Sequence, residues 1–466
     1  MEHDHDGRVA PAATAALPAR LLGTPPGRPC FRFAVLPFSG RSAGRADRTA
    51  AGSGPGVPTD GPRSRRRPAR QLLVLLLVLV LGTTGCTVTR LLPQQPQNQP
   101  QGGSPTSSPA PCTPAPRSLL EPASGAWFGV SPDWSHDSLA AYADRLGHAP
   151  AVAVTFAGLP MSTREQQDVD DAAEQARGTG SMLLLTLEPR QGLARVTSAV
   201  AADLAATLAR YNEDGVPAIV RLGHEMNGSW YPWGQDPEAY VRTFRLVASA
   251  VHRRAPGSAM MWAPNYGGGY PFAGGRYQAE PGSRAAKALD TDGNGELTLD
   301  DDPYAPYWPG RAAVDWVGMS LYHWGTKHPW GENEVPEPGK FADLLHGTYD
   351  GGGGDESAVP DFYRRYGVQN RLPVAVTETA ALYVPGAGGA DELAVKRAWW
   401  RQAFAASHDT SLPYLKMINW FEWDKYETEV RAKVSWTATR SARTLPRFQG
   451  DLPGWLHFAD DVPRCR

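Results

Sequence analysis

AIVRLGHEMNGSWYPWG, residues 218–234, runs from an apolar segment interrupted by one arginine straight into His224, Glu225 and Asn227, then Trp230, Tyr231 and Trp233. A short run rich in Ile, Val and Leu reads as a strand buried on both faces. Seven further runs share its character: Trp127–Val130, Ala151–Phe156, Met182–Leu187, Met260–Ala263, Val314–Leu321, Pro373–Thr377 and Met417–Phe421. Between them, Asp137–Leu146, Arg164–Arg177, Ala199–Tyr211, Pro237–Arg253 and Asp391–Ala406 space their apolar residues at three to four, as helices do. Strands alternating with helices predict a parallel sheet. Eight such units over roughly 340 residues predict an α/β (β/α)8 TIM barrel, enlarged by insertions. An open doubly wound sheet is the alternative, weakened because no phosphate-binding glycine loop follows the first strand.

Chemistry in such a barrel collects at the C-terminal ends of the strands. At the fourth, Glu225 leaves an apolar strand among rings, an environment that raises a carboxylate's pKa and suits a general acid. The structural alternative is a carboxylate paired with Arg221. The seventh strand runs Val374-Ala375-Val376-Thr377 into Glu378. Ends of strands four and seven lie on opposite sides of a barrel mouth, so the two carboxylates can face each other across a sugar. One then attacks while the other protonates the leaving oxygen.

The motif His224-Glu225-Met226-Asn227-Gly228-x-Trp230-Tyr231-Pro232-Trp233-Gly234 resembles glycoside hydrolase family 26, whose best-known members are β-mannanases. The resemblance spans roughly residues 120–440. It implies a retaining mechanism with Glu225 as acid/base, Glu378 as nucleophile, His224 hydrogen-bonded in the site and Tyr322 orienting the nucleophile. Trp420 would floor the cleft under the sugar. Trp230, Trp233 and Asn265 complete the expected substrate contacts, with Trp262 and Trp324 as further stacking candidates. The third strand ends at Glu188, where the family's mannanases carry a sugar-recognising histidine. Glu188 is therefore expected either to bind sugar hydroxyls or to pair with Arg221. β-1,4-Mannan is the first substrate expected; mixed-linkage β-glucan and β-1,3-xylan are alternatives, as is a non-catalytic carbohydrate-binding barrel. The chemistry needs no cofactor.

The chain has 466 residues, 41% hydrophobic and 20% charged. That composition excludes a wholly disordered chain and a multi-span membrane protein. All 15 Trp lie between Trp127 and Trp455, so the first quarter has little with which to build a core. A net charge of −2 leaves no nucleic-acid footprint. Residues 1–86 carry 12 Arg against 5 acids. Arg63 to Arg70 precede an apolar run, Leu72–Leu81, whose ten residues reach about 15 Å, half of a bilayer core. Residues 63–86 thus read as a signal peptide. Their ending, Leu-Gly-Thr-Thr-Gly-Cys86, resembles a bacterial lipobox and implies lipidation at Cys86, with a plain cleaved signal or an uncleaved anchor as alternatives. The expected location is the outer face of the cell membrane, or secreted if Cys86 is not lipidated. Residues 1–62 read as a disordered extension or the result of a start codon assigned too early. Residues 87–117 are a Pro/Gln/Ser-rich linker, and residues 118–466 the barrel. The expected partners are a polysaccharide and, through the lipid, a membrane; a monomer is expected.

Cys112 and Cys465 flank the folded part. Export and neighbouring domain termini predict a disulfide between them. Residues 290–301 follow the spacing of an EF-hand calcium loop: Asp290, Asp292 and Asn294 at positions 1, 3 and 5, Gly295 at the turn, Glu296 through its carbonyl, and Asp301 closing. The alternative is a solvated acidic turn. Gly351–Gly354 reads as a loose loop, possible cleft rim or mere slack.

Overall fold

The computed structural model describes residues 112–465, apart from 327–328, 352–353, 356–358 and 409–411. The leader, Cys86, residues 87–111 of the linker and half of the Gly351–Gly354 run lie outside the described residues. Among the described residues, no helix is long and apolar enough to cross a membrane.

Eight parallel strands close on themselves: β1 Ala126–Pro132, β2 Val152–Gly158, β3 Met182–Glu188, β4 Ala218–Leu222, β5 Ser258–Trp262, β6 Trp316–His323, β7 Val374–Ala381 and β8 Leu415–Glu422. Each pairs with the next, and β8 pairs back onto β1 from Trp127↔Met417 to Pro132↔Glu422. This is the (β/α)8 barrel that the alternation predicts. Its outer layer includes α1 Leu139–Leu146, α2 Thr163–Thr179, α3 Ser198–Glu213, α4 Pro237–Arg254, α5 Arg284–Leu289, α6 Lys340–His346, α7 Glu392–His408 and α8 Leu445–Asp451.

The helices begin where their capping chemistry dictates. Ser162 and Glu165 form a capping box on α2, and the Asp236 side chain accepts from Ala239 N with Pro237 at the first turn of α4. Gly147 and Gly180 end α1 and α2 in the left-handed conformation.

Successive strand residues face opposite ways. One set fills the barrel interior, with Trp127, Val152, Leu184, Ile219, Met261, Trp316 and Met417 in one buried cluster. The other set packs under the helices. Two residues further along from these interior positions stand the inward residues of the mouth. Arg221 follows Ile219 and Ser320 lies four beyond Trp316, both fully or nearly fully buried.

Cys112 and Cys465 form the expected disulfide, with Cα atoms 5.2 Å apart and a sequence separation of 353. Linking chain ends so distant in sequence removes much freedom from the unfolded chain. Replacing both cysteines by serine is expected to lower unfolding free energy by about 2–5 kcal/mol, read from the denaturant midpoint under oxidising conditions. An unchanged midpoint would show that the bond adds nothing.

Candidate active site

Arg221 stands at the centre of the mouth with no exposed surface. A buried guanidinium must be compensated. It donates one hydrogen bond to Glu378 Oε1 and another to Ser320 Oγ at 2.8 Å. The structural pairing of Arg221 with Glu225 or Glu188 is therefore wrong; its carboxylate partner is Glu378. A register shift in the β6–β7 pairing between Met319 and Ser320 brings Ser320 opposite Glu378. Tyr322, two residues beyond Ser320 on the same face, donates to Glu378 Oε2 at 3.0 Å. Both oxygens of Glu378 are thus held, one by a cation and one by a phenol.

Glu225 lies three residues past β4 with φ of 53°, a conformation uncommon for any residue but glycine. Gly223 just before it has φ of 52°, and a Cβ there would meet the Tyr240 and Trp233 rings at 3.1 and 3.3 Å. The chain turns sharply between them, which lets Glu225 point into the mouth although its neighbour also faces inward. Glu225 N donates to Ala263 O at 2.9 Å, which fixes the turn on β5. Its carboxylate accepts from the Trp230 indole at 3.2 Å and bonds the Ser320 side chain. Burial, reinforced by the charge of Glu378, pushes its pKa up to about 7.

The rest of the motif supports this turn. His224 is buried, its Nε2 3.1 Å from Tyr231 Oη, and burial together with Arg221 pushes its pKa well below the usual range. It is a neutral ring in the site, as expected of a hydrogen-bonding partner. Asn227 and Asn265 exchange bonds, Nδ2 to Asn265 O at 2.9 Å and Asn265 N to Oδ1 at 2.8 Å, which ties the end of β4 to that of β5. Asn265 Oδ1 is buried without a partner.

Several expected contacts are corrected. Trp233 lies under the loop: its indole donates to His224 O at 2.7 Å and its ring stacks on Tyr231. Trp420 has no exposed surface and faces the helices, against Trp400 and Phe448. The inward residues of β8 are Met417, Asn419 and Phe421; just past it, Trp423 stacks on Phe421 at 5.6 Å. A one-residue error of parity along β8 exchanges floor for back wall. Trp262 also points outward, among Trp308, Phe362 and Tyr366, and Trp324 is buried against Trp330 and Trp436. Of the expected ring contacts, Trp230 and Tyr322 keep partial exposure. Glu188 reaches the interior, but Arg190 holds it through Nε at 2.9 Å and NH2 at 2.5 Å, while Arg190 NH1 binds Glu165 at 2.7 Å.

In the connection between β5 and β6, carboxylate oxygens of Asp290, Asp292 and Asp301 converge within 4.8 Å. Asn294 and Glu296 sit in the same loop, Asn294 Oδ1 accepting from Glu296 N at 2.7 Å.

Residues 186–265 match the model of glycosyl hydrolase family 26. The match covers the part of the barrel that carries Glu225. The matched family 26 segment holds Glu188, Arg221, His224, Glu225, Trp230 and Asn265; Glu378 lies beyond it. Endoglucanase H of Acetivibrio thermocellus is 25% identical over 218 residues, 44% of this chain and 20% of that protein. The chain thus spans about a fifth of that relative's length. Among solved structures, a modular endo-β-1,4-mannanase from Cellulomonas fimi aligns with a TM-score of 0.47 at 15% identity, over 75% of this chain and 77% of that one. The family 26 domain of an endo-β-mannanase/endo-β-glucanase from Prevotella bryantii aligns at 0.42 and 14% identity, over 74% and 94%.

Proposed function

We propose that this chain is a retaining β-glycosidase that cleaves an extracellular β-linked polysaccharide. The observation that carries the reading is the contrast between its two buried carboxylates. Glu378 is gripped by Arg221 and Tyr322, while Glu225 is pushed up to about 7 beside it. A pair with environments this different divides the work of glycoside cleavage.

In the first step Glu225 gives its proton to the glycosidic oxygen as that bond breaks. Glu378 attacks the anomeric carbon and forms a covalent glycosyl ester. In the second, Glu225, now a carboxylate, takes a proton from water, whose oxygen attacks the same carbon and releases Glu378. Arg221 and Tyr322 keep the attacking oxygen aimed and stabilise it as a leaving group. Half-exposed Trp230, bonded to Glu225, offers a ring to a sugar face.

β-1,4-Mannan is the first substrate proposed. Mixed-linkage β-glucan is the second, favoured by the Glu188–Arg190 pair where the family's mannanases carry a histidine, and by the endoglucanase relative. The test is release of reducing ends from galactomannan, glucomannan, barley β-glucan, β-1,3-xylan and cellulose. Activity on one of them identifies the sugar. Binding without release would favour a carbohydrate-binding barrel instead.

We propose further that residues 290–301 hold a structural calcium ion. Asp290, Asp292 and Asp301 supply three converging carboxylates, and Asp290 Oδ1 is buried without a partner, as an oxygen awaiting a cation would be. Asn294 and the Glu296 carbonyl would complete the set. Calcium at 100 times its dissociation constant is expected to stabilise the fold by about 2.7 kcal/mol. Chelation should lower the unfolding temperature, calcium should restore it, and Asp301→Ala should abolish the response. An unfolding temperature indifferent to chelator would sink the proposal. Export and lipid attachment at Cys86 remain part of this reading; mass measurement of the mature N-terminus tests them.

A further inference from the structure

Beyond β8 the chain forms a hairpin, β9 Asp424–Glu427 paired antiparallel with β10 Ala432–Ser435. Residues facing each other across it share a face, so Lys425, Glu427, Ala432 and Val434 lie together, with Trp436 continuing that side. This face turns toward the mouth. Trp436 is 1% exposed, and its ring meets the Tyr322 ring edge to face, with centroids 5.2 Å apart. Phe421 meets the same tyrosine at 5.9 Å.

Trp436 is itself held at three points. Its N donates to Trp423 O at 2.9 Å, its carbonyl accepts the Trp420 indole at 3.2 Å, and its own indole donates to Glu427 Oε1 at 2.8 Å. Glu427 is 2% exposed and pairs with Lys425 at 3.2 Å. The Glu427 carboxylate, its charge offset by Lys425, is thus held where its oxygen takes the Trp436 indole proton. A continuous chain of contacts therefore runs from Glu427 through Trp436 and Tyr322 to Oε2 of Glu378. Arg221 fixes the other oxygen of that carboxylate independently.

We infer that Trp436, locked by Glu427, is a positioning residue for the nucleophile: it sets the Tyr322 ring, which in turn sets Glu378. The inference rests on the glycosidase reading above and deepens it. The hairpin belongs to the catalytic apparatus through this contact, without any need to touch substrate. A misplacement of about 1 Å at the reacting carboxylate can cost on the order of 100-fold in rate.

The experiment compares Trp436→Leu, Trp436→Phe and Tyr322→Phe, alone and combined, on whichever polysaccharide is cleaved. Trp436→Leu should lower kcat by roughly 10- to 100-fold and leave KM within about 3-fold, the pattern of an interaction made in the transition state. Trp436→Phe keeps a ring edge against Tyr322 but loses the bond to Glu427, and should recover only part of the loss. In a Tyr322→Phe background, Trp436→Leu should cost little more, because its route to Glu378 is already cut. Losses that multiply, or a change confined to KM, would overturn the inference. Should Trp436→Leu fail to fold, Glu427→Leu removes both the indole's acceptor and the partner of Lys425 and should lower kcat, while Glu427→Gln, which loses the ion pair but keeps an acceptor oxygen for the indole, should restore it; equal kcat in both overturns it.

A readout without turnover separates this inference from the glycosidase reading. In protein labelled at tyrosine 13Cζ, the Tyr322 signal is identified by its loss in Tyr322→Phe. It should move in Trp436→Leu or Glu427→Leu and return toward its place in Trp436→Phe or Glu427→Gln. A protein inert on every polysaccharide would count against the glycosidase reading, while this signal still decides the positioning. A signal that stays put in the folded variants would overturn it.

Discussion

Glu378→Ala is expected to lower turnover of the cleaved polysaccharide by on the order of 10^4- to 10^6-fold, the scale reached when a nucleophile acting as part of a unit is removed. The anomeric carbon loses the group that attacks it, and Arg221 and Tyr322 have nothing left to aim. The variant also carries a structural cost. Arg221 has no exposed surface, and Glu378 is its carboxylate partner. Deleting that partner leaves a buried charge uncompensated, worth about 3–5 kcal/mol. Glu378→Gln keeps an acceptor oxygen for the guanidinium and should fold better while losing as much activity. The comparison thus separates lost chemistry from lost fold. Azide offers a second check on Glu378→Ala. It is small enough for the vacated space, attacks from the nucleophile's side, and should yield a glycosyl azide of inverted anomeric configuration. Residual activity above about one part in a thousand, with no azide product, would remove Glu378 from the nucleophile's role.

The parts of this site that were legible in the sequence share one property: they stand at or just past the C-terminal ends of strands, which the barrel gathers at its mouth. Each of the eight apolar runs became a barrel strand within a few residues of its expected bounds. Glu225, Glu378 and Tyr322 follow β4, sit on β7 and sit on β6 near the mouth; the turn at Gly223–Glu225 and the shift beside Ser320, which aim the two carboxylates inward, were not legible. Trp420 was misplaced because parity in a strand is absolute. Counting by twos from Met417, an interior residue, leads to Asn419, Phe421 and Trp423, and puts Trp420 outside. The role of Arg221 was legible only as a need. A buried guanidinium demands a carboxylate, but three lay within plausible reach, and the register shift beside Ser320 decided among them. Arg190 gave no signal, since its hold on Glu188 depends on the turn after β3. The Glu427–Trp436 lock joins residues nine apart across a hairpin too short to show alternation, and it became visible only with the pairing in hand.

The fall of kcat/KM toward high pH should reflect Glu225, with a limb near pH 7, where burial and the neighbouring charge of Glu378 place its proton. Glu225→Gln should erase that limb and cost about 10^2- to 10^4-fold on a polysaccharide, whose alkoxide leaving group needs a proton. On a dinitrophenyl glycoside, which leaves unaided, the first step should be nearly spared. Equal losses on both substrates would deny Glu225 the role of acid. Stability gives the same group a second signature. Its pKa is raised in the folded state, so the folded protein binds the proton more tightly than the unfolded chain does. The resulting stabilisation is complete below the ordinary value of 4.5 and fades as pH rises through about 7. The loss is on the order of 3 kcal/mol, and Glu225→Gln should not show it, so the variant gains on wild type between pH 5 and pH 8. One of the forces that raise Glu225 is itself spent during catalysis. When Glu378 becomes an ester its charge disappears, and Glu225 no longer has an anion beside it. Its pKa then falls at the point where the mechanism needs a base to take a proton from water. The acid of the first step thereby becomes the base of the second with no movement of the protein, and a trapped glycosyl-enzyme should show Glu225 titrating below its value in the free protein.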